Sequence, residues 1–412
     1  MNTITLPQLA WYGAKELELS LPDSWQVELY NMAGYNRPTM KPAEIKTAIT
    51  NLIGIPPIRE IAKGKNEVVI IFDDMTRVTK VAEIVPFVLE ELAEAGIPDN
   101  RIRFIAALGC HGAMDRLDFI KKLGEKTLAR FPVYNHNAFG NCTYIGSTKT
   151  YGTEVYINEE VMKCDLKIAI GSVVPHPMRG FGGFGGGGKI IMPGVASFKT
   201  IKQNHEAASK SFIEASDRPI TGIEIFDNNP HRADMEEAAA LAGLDVLINC
   251  IVNMWGETVA IFAGALLPTY FAAVGDAKAH YLTPKTKRES IVIANTFAKA
   301  SEASIGLNIA FNALSSGSRD VVLISNAPEG QVTHFLAGPF GNTRRQGLLP
   351  QNLNHLIVYT EYPDLASRGR FVESDKVLFL HKWDDIIRVL QEFYGADTKV
   401  AIYPNADIQY CA

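Results

Sequence analysis

Cysteine is scarce and unpatterned in this sequence: five residues (Cys110, Cys142, Cys164, Cys250, Cys411) are scattered without CxxC spacing. Their odd number argues against a fully paired disulfide framework and fits a reducing compartment. No run approaches the roughly 18 apolar residues that a membrane-spanning helix needs. The opening stretch "MNTITLPQLAWYGAKELELS" lacks the basic region and apolar core of a secretory signal. Excess positive charge is also missing, since the formal net charge is −5. That leaves no electrostatic footprint for nucleic acid or an anionic membrane surface. The expectation is a cytoplasmic protein whose partner is a small molecule.

What is present is an ordinary globular composition of 412 residues, 47% hydrophobic and 21% charged, long enough for two cores. Val/Ile-rich runs recur at "NEVVIIFDD" (66–74), "RIRFIAALG" (101–109) and "DLKIAIGSVV" (165–174). Between the first two, "KVAEIVPFVLEELAEAG" spaces its apolar residues at helical intervals and stops at Gly96. The pattern restarts with candidate strands at 289–295, 320–326, 355–360, 376–381 and 399–404. Buried strands alternating with helices predict an α/β fold with mainly parallel sheets. We divide it into a domain over 1–270 and a second over 271–412, with the active site in the cleft between them. The Ala-rich segment 261–287 is the connector.

In parallel α/β sheets, ligands sit beyond the carboxyl ends of the strands, which selects three strand ends. "FDDMTRVT" places Asp73, Asp74, Thr76 and Arg77 directly behind an apolar strand. These residues suit a turn and helix cap, or an anion site in which Arg77 grips a carboxylate or phosphate. "AALGCHGAMD" places His111 between two glycines, where a loop histidine is often incidental. A Cys110/His111 nucleophile pair is disfavoured, because neighbouring side chains rarely face each other.

The third strand ends in "VVPHPMRG", with prolines around His176, followed by seven glycines between Gly180 and Gly188 and then Lys189. "GFGGGGK" (183–189) fits the start of the phosphate-binding pattern GxxxxGK[ST], but Ile190 lacks the hydroxyl that would hold Mg²⁺. So many glycines suggest close approach of backbone to a flat ligand, with Lys189 emerging beside it. Beyond "MPG" (192–194), "ASFKTIKQNHEAASK" reads as a helix capped by Ser197, with Phe198, Ile201 and His205 on one inward face. An inward histidine is either a satisfied core residue or a metal ligand. The helix alone does not choose.

The order "DDMTR", "GCH", "PH" before a glycine-rich loop ending in lysine, then "PG" and "SFKTIKQNH", resembles the lactate racemase family over residues 66 to 205. The resemblance implies a nickel-pincer nucleotide cofactor, of the pyridinium-3-thioamide-5-thiocarboxylic acid mononucleotide type. Lys189 would then tether it through a thioacyl linkage, and His205 would ligate nickel. His111 and His176 would be the acid/base pair, Arg77 would lie beside substrate and cofactor, and Asp74 would position that surface. The implied activity is racemisation or epimerisation of a 2-hydroxy carboxylic acid by reversible hydride transfer, with separate cofactor-synthesis enzymes needed for loading.

In the second domain, "IVIANTFAKASEASIG" departs from the lactate-type pattern. Its polar candidates are Asn295, Lys299 and Glu302, of which Lys299 is the expected carboxylate partner. The departure opens the substrate to 2-hydroxy acids larger than lactate. Two alternatives accompany this reading: a nucleotide- or phosphate-binding protein using "GFGGGGK", and a family member that binds the cofactor without racemase chemistry.

Overall fold

The computed structural model describes residues 2–13, 15–176, 183–214, 225, 228–287, 289–314, 319–337, 349–363, 368, 371 and 374–411. The chain divides into two compact units, Arg37–Lys278 and a second assembled from Met1–Asn36 together with Ala279–Ala412. Three strands open the chain: β1 (Asn2–Gln8), β2 (Lys15–Leu21) and β3 (Gln26–Leu29).

The Arg37–Lys278 unit contains β4 (Val68–Asp73), β5 (Ile102–Ala107), β6 (Val133–Asn135), β7 (Cys142–Ser147), β8 (Glu154–Asn158), β9 (Leu166–Ser172), β10 (Val246–Val252) and β11 (Thr258–Gly264). Six of them form one sheet in the order β11-β10-β9-β4-β5-β6, parallel except for the antiparallel β10–β11 pair. The centre of the sheet is apolar because both faces are covered, and all six residues of β4 are buried. Each Val, Ile or Phe so placed contributes about 1.5–3 kcal/mol of hydrophobic stabilisation. Val68, Ile70 and Phe72 pack into one cluster with Ile84, Val88 and Leu92 of the Val81–Glu94 helix. That helix ends as its sequence requires: Gly96 takes a positive φ of 83° and the Ile97 amide returns to the Leu92 carbonyl at 3.0 Å. Because β9, β4 and β5 are parallel neighbours, their carboxyl ends lie along one edge of the sheet. These are the three strand ends selected from sequence.

The second unit adds β12 (Leu282–Thr283), β13 (Ile291–Asn295), β14 (Arg319–Ile324), β15 (Leu353–Tyr359), β16 (Val377–Leu380), β17 (Lys399–Tyr403) and β18 (Tyr410–Cys411). Its main sheet is parallel throughout, in the order β16-β15-β14-β13-β17-β3. The α/β architecture with mainly parallel sheets is therefore present in both units.

The units differ from a division at 270/271. β3 pairs with β17, Gln26 against Lys399, while Leu6, Leu19, Leu21 and Trp25 share a core with Ile291, Ile293 and Ile402. The first 36 residues thus belong with the C-terminal segment, because that is where their apolar faces find cover. Most of the supposed connector lies in the other unit, as the end of β11 and the Leu266–His280 helix. Among the described residues, no helix is long and apolar enough to cross a membrane.

Candidate functional site

The β4 end is built around two buried carboxylates with different partners. Asp73 accepts from the Lys122 ammonium at 2.7 Å and the Thr79 hydroxyl at 2.5 Å. Lys122 is itself fully buried and also donates to the carbonyls of Arg77 (2.8 Å) and Thr79 (3.2 Å). Burial pulls its pKa down, and the neighbouring Asp73 opposes that. This lysine, which sequence reasoning did not single out, pins the strap that carries Asp74 and Arg77.

Asp74 turns the other way. Its Oδ1 accepts from the Thr76 amide (3.0 Å) and hydroxyl (2.5 Å), and its Oδ2 lies 2.5 Å from Nδ1 of His111. Burial pushes the Asp74 carboxyl up, but the charge and hydrogen bond of His111, with help from Arg77, hold it well below the usual carboxylate range. An ionised Asp74 can only accept, so Nδ1 of His111 carries the proton of this contact. Proton exchange with a ligand then falls to Nε2. Arg77 is half-buried, and its guanidinium donates to the Thr76 carbonyl at 2.8 Å and hydroxyl at 2.7 Å. Cys110, beside His111, is disarmed, since burial pushes its thiol up to about 12.

At the β9 end, His176 is buried and its amide donates to the Gly183 carbonyl at 2.7 Å. Pro175 bridges to Phe184, and the Gly185 amide returns to Val174 at 2.8 Å. The chain therefore folds back along the strand end; Pro177, Gly180 and Gly182 lie outside the described residues. Lys189 sits half-buried in the short 3-10 turn Gly187–Ile190. The following Met192–Pro193 peptide is cis, and the Gly109 amide donates to the Gly194 carbonyl at 2.8 Å. That bond ties the loop of His111 to the loop of Lys189.

Two of the glycines, Gly187 and Gly188, make room for the protein's own chain. A Cβ on Gly187, whose φ is +59°, would lie 2.5 Å from the Arg232 guanidinium, and one on Gly188 would lie 2.7 Å from the Met235 carbonyl. What approaches the backbone here is the protein's own Pro230–Leu241 helix. The Gly187 amide donates to Asn249 Oδ1 at 3.1 Å and the Gly188 amide to the Glu236 carboxylate at 2.9 Å. A phosphate cradle would need those amides for its anion, and a buried carboxylate already occupies one. The geometry disfavours the nucleotide-loop alternative.

His205 lies on the Phe198–Glu214 helix, whose start is capped by the Ser197 hydroxyl accepting from the Thr200 amide at 3.2 Å. Its Nδ1 is 2.9 Å from the Ile201 carbonyl. A carbonyl only accepts, so Nδ1 carries a proton and Nε2 is the nitrogen left to meet a metal when the ring is neutral, the usual arrangement of a metal-ligating imidazole. The ring of His231 meets it edge to face with centroids 5.7 Å apart. Burial holds His231 neutral, well below its usual range, and charges on His205, Arg232 and Lys189 act in the same direction. His205 and Lys189 therefore share one electrostatic neighbourhood. Among the described residues, no three His, Cys, Asp or Glu side chains gather as a metal site. Lys189 and His205 could together hold a cofactor that carries metal donors of its own.

Lys299, Asn295 and Glu302 belong to the other compact unit. Asn295 is committed to bracing that unit: its Oδ1 accepts from Gln8, and its Nδ2 donates to the carbonyls of Pro7 (3.0 Å) and Pro404 (2.7 Å). Lys299 is 1% exposed and its amide donates to Asp407 at 2.5 Å. Burial raises Asp407 to about 6, against the pull of the Lys299 and Phe297 amides and the Lys299 charge.

Residues 12–216 match a family profile described as the lactate racemase N-terminal domain. The chain is 32% identical over 268 residues to the lactate racemase of Thermoanaerobacterium thermosaccharolyticum, an alignment covering 64% of this chain and 59% of that protein. Against the lactate racemase of Lactiplantibacillus plantarum it is 32% identical over 234 residues, covering 56% and 53%. The chain thus spans less than two thirds of the length of either relative. Its fold resembles the lactate racemase apoprotein from T. thermosaccharolyticum, with a TM-score of 0.73, 20% identity and full coverage of both chains. A Thermotoga maritima structure gives 0.66 at 16% identity, covering 91% of this chain and 99% of the other. The strand-end motifs, the matched profile and the two sequence relatives lead to one assignment: this chain belongs to the lactate racemase family.

Proposed function

We propose that the protein is a racemase or epimerase of a 2-hydroxy carboxylic acid, lactate or a larger relative, using a nickel-pincer nucleotide tethered at Lys189 and ligated by His205. The observation that carries this reading is the Asp74–His111 pair, held by the Gly109–Gly194 bond to the same loop system as Lys189. The C2–H of a 2-hydroxy acid is only weakly acidic, so inversion by simple proton abstraction is slow. Oxidation to a planar keto acid erases the stereocentre instead. The bound cofactor supplies the reversible hydride acceptor that this route requires.

The protein's own work is proton transfer and orientation. His111 exchanges the hydroxyl proton of one enantiomer through Nε2, with Asp74 holding the ring and stabilising its protonated form. His176 does the same for the other enantiomer. Each histidine acts as base in one direction and acid in the other, which suits imidazole near neutral pH. Arg77, fixed by Thr76, offers the charge that orients the substrate carboxylate.

Peptide-mapped mass analysis tests this reading on protein produced alongside the cofactor-synthesis enzymes with nickel in the medium. An adduct on the Lys189 peptide, nickel in the sample and turnover of a chiral 2-hydroxy acid are the expected results. An unmodified Lys189, with an authentic lactate racemase loaded in the same host, would overturn it.

A further inference from the structure

The Pro230–Leu241 helix carries buried charged residues on two faces, and each face meets a different part of the candidate site. On one face Arg232 and Glu236, four residues apart, form a buried ion pair. Glu236 accepts from the Gly188 amide at 2.9 and 3.1 Å, and Arg232 donates to the Gly186 carbonyl at 3.0 Å. Arg232 is also held over the Tyr270 ring, 4.3 Å from its centroid. The backbone just before Lys189 is thus gripped on both its donor and its acceptor.

On the other face, His231 and Asp234 are three residues apart. His231 meets the His205 ring, and Asp234 accepts from Asn204 Nδ2 at 2.8 Å and from the Thr153 hydroxyl at 2.8 Å. One rigid helix therefore spans from the residues preceding Lys189 to the residues flanking His205. Apolar side chains could fill the same volume, but they would take the Glu236 acceptor from the buried Gly188 amide and leave the Gly186 carbonyl only its longer bond from the Lys189 amide, at 3.3 Å. A buried ion pair contributes little net stability, so what these two side chains add here is their pair of bonds to the Gly186 carbonyl and the Gly188 amide.

We propose that Arg232 and Glu236 are positioning residues that hold the Lys189 turn in register with His205, so that the tether lysine and the metal-ligand histidine meet one bound group. The proposal rests on the function given above, but its test begins without the cofactor. Full-length apoprotein is treated with limiting N-hydroxysuccinimidyl acetate, and acetylation at Lys189 is compared with that at exposed Lys202 by peptide mapping. In Glu236→Ala the ratio should shift by about tenfold, the usual scale for a group that orients a ligand from behind. Glu236→Gln should return it towards the wild-type value, because the amide oxygen still accepts from Gly188.

Co-production with the cofactor-synthesis enzymes should give an adduct yield that follows the same order. An unchanged Lys189 ratio in folded Glu236→Ala would overturn the proposal, as would a Glu236→Gln ratio no closer to wild type. Should Glu236→Ala not fold, Arg232→Lys, which shortens the reach to the Gly186 carbonyl, takes its place with the same expected shift and the same overturning result. A shifted ratio with no adduct even in the wild type would sink the cofactor reading while leaving the positioning role standing.

Discussion

Asp74 Oδ2 and His111 Nδ1 stand 2.5 Å apart although they come from the ends of different, adjacent strands. Asp74→Asn keeps the shape but offers an amide that can donate to Nδ1 and stabilise the opposite ring tautomer. We expect kcat to fall at least about a hundredfold with cofactor loading and KM little changed. Steady-state kinetics with the adduct quantified by mass would check this. A proportionate loss of adduct would mean that Asp74 serves the cofactor and not the histidine.

Removal of the histidines should separate two kinds of defect. His111→Ala and His176→Ala are expected to retain nickel and the Lys189 adduct while losing turnover. His205→Ala is expected to lose nickel, read by elemental analysis. Lys189→Ala should lose the adduct and the activity together. Unchanged nickel in His205→Ala would move the ligand to another residue.

Lys122 and Asp73 form a buried pair under the Arg77 strap. Lys122→Met leaves a buried carboxylate without its cation and should cost about 3–5 kcal/mol of stability by denaturant unfolding. The double variant Lys122→Met/Asp73→Asn should recover much of that loss, because no uncompensated charge remains. Additive losses in the double-mutant cycle would show the two side chains acting independently.

His136 is buried between the Ala196 carbonyl, 2.8 Å from Nε2, and the Asn158 amide, 3.1 Å from Nδ1. Burial lowers its pKa to about 4 from 6.5, partly offset by the bond to Ala196. Between those values the unfolded chain binds the extra proton and the folded one does not. Stability should therefore rise with pH across that window and be lost as pH falls from about 6.5 to about 4, by roughly 3 kcal/mol in total. His136→Gln should flatten this part of the pH–stability profile. An unaltered profile would assign the acid sensitivity elsewhere.

The strand ends were legible because β4, β5 and β9 are mostly apolar, interrupted by Arg103 in β5 and Lys167 in β9, and residues directly behind such runs share a sheet edge whatever the intervening loops do. That logic reached Asp74, Arg77, His111 and His176. It did not reach Arg232 or Glu236, since "NPHRADMEEAAALAG" looks like an ordinary solvent-facing helix until the glycine loop, some 46 residues earlier, is laid against it. The same distance hid the purpose of Gly187 and Gly188, whose missing side chains make room for that helix. The first 29 residues escaped notice for a related reason. Their strands are short and carry exposed Glu16, Glu18 and Glu28, and the partner of β3 lies more than 370 positions along the chain.

That last pairing bears on how the protein is made. β17 lies between β13 and β3, so β3 has no neighbour in its sheet until residues 399–403 have been synthesised. The Arg37–Lys278 unit has all of its own strands well before then. Cotranslational folding should therefore finish the inner unit first, with the amphipathic N-terminal strands waiting outside it for their partners. During that interval their apolar edge is exposed to chaperones and to neighbouring nascent chains.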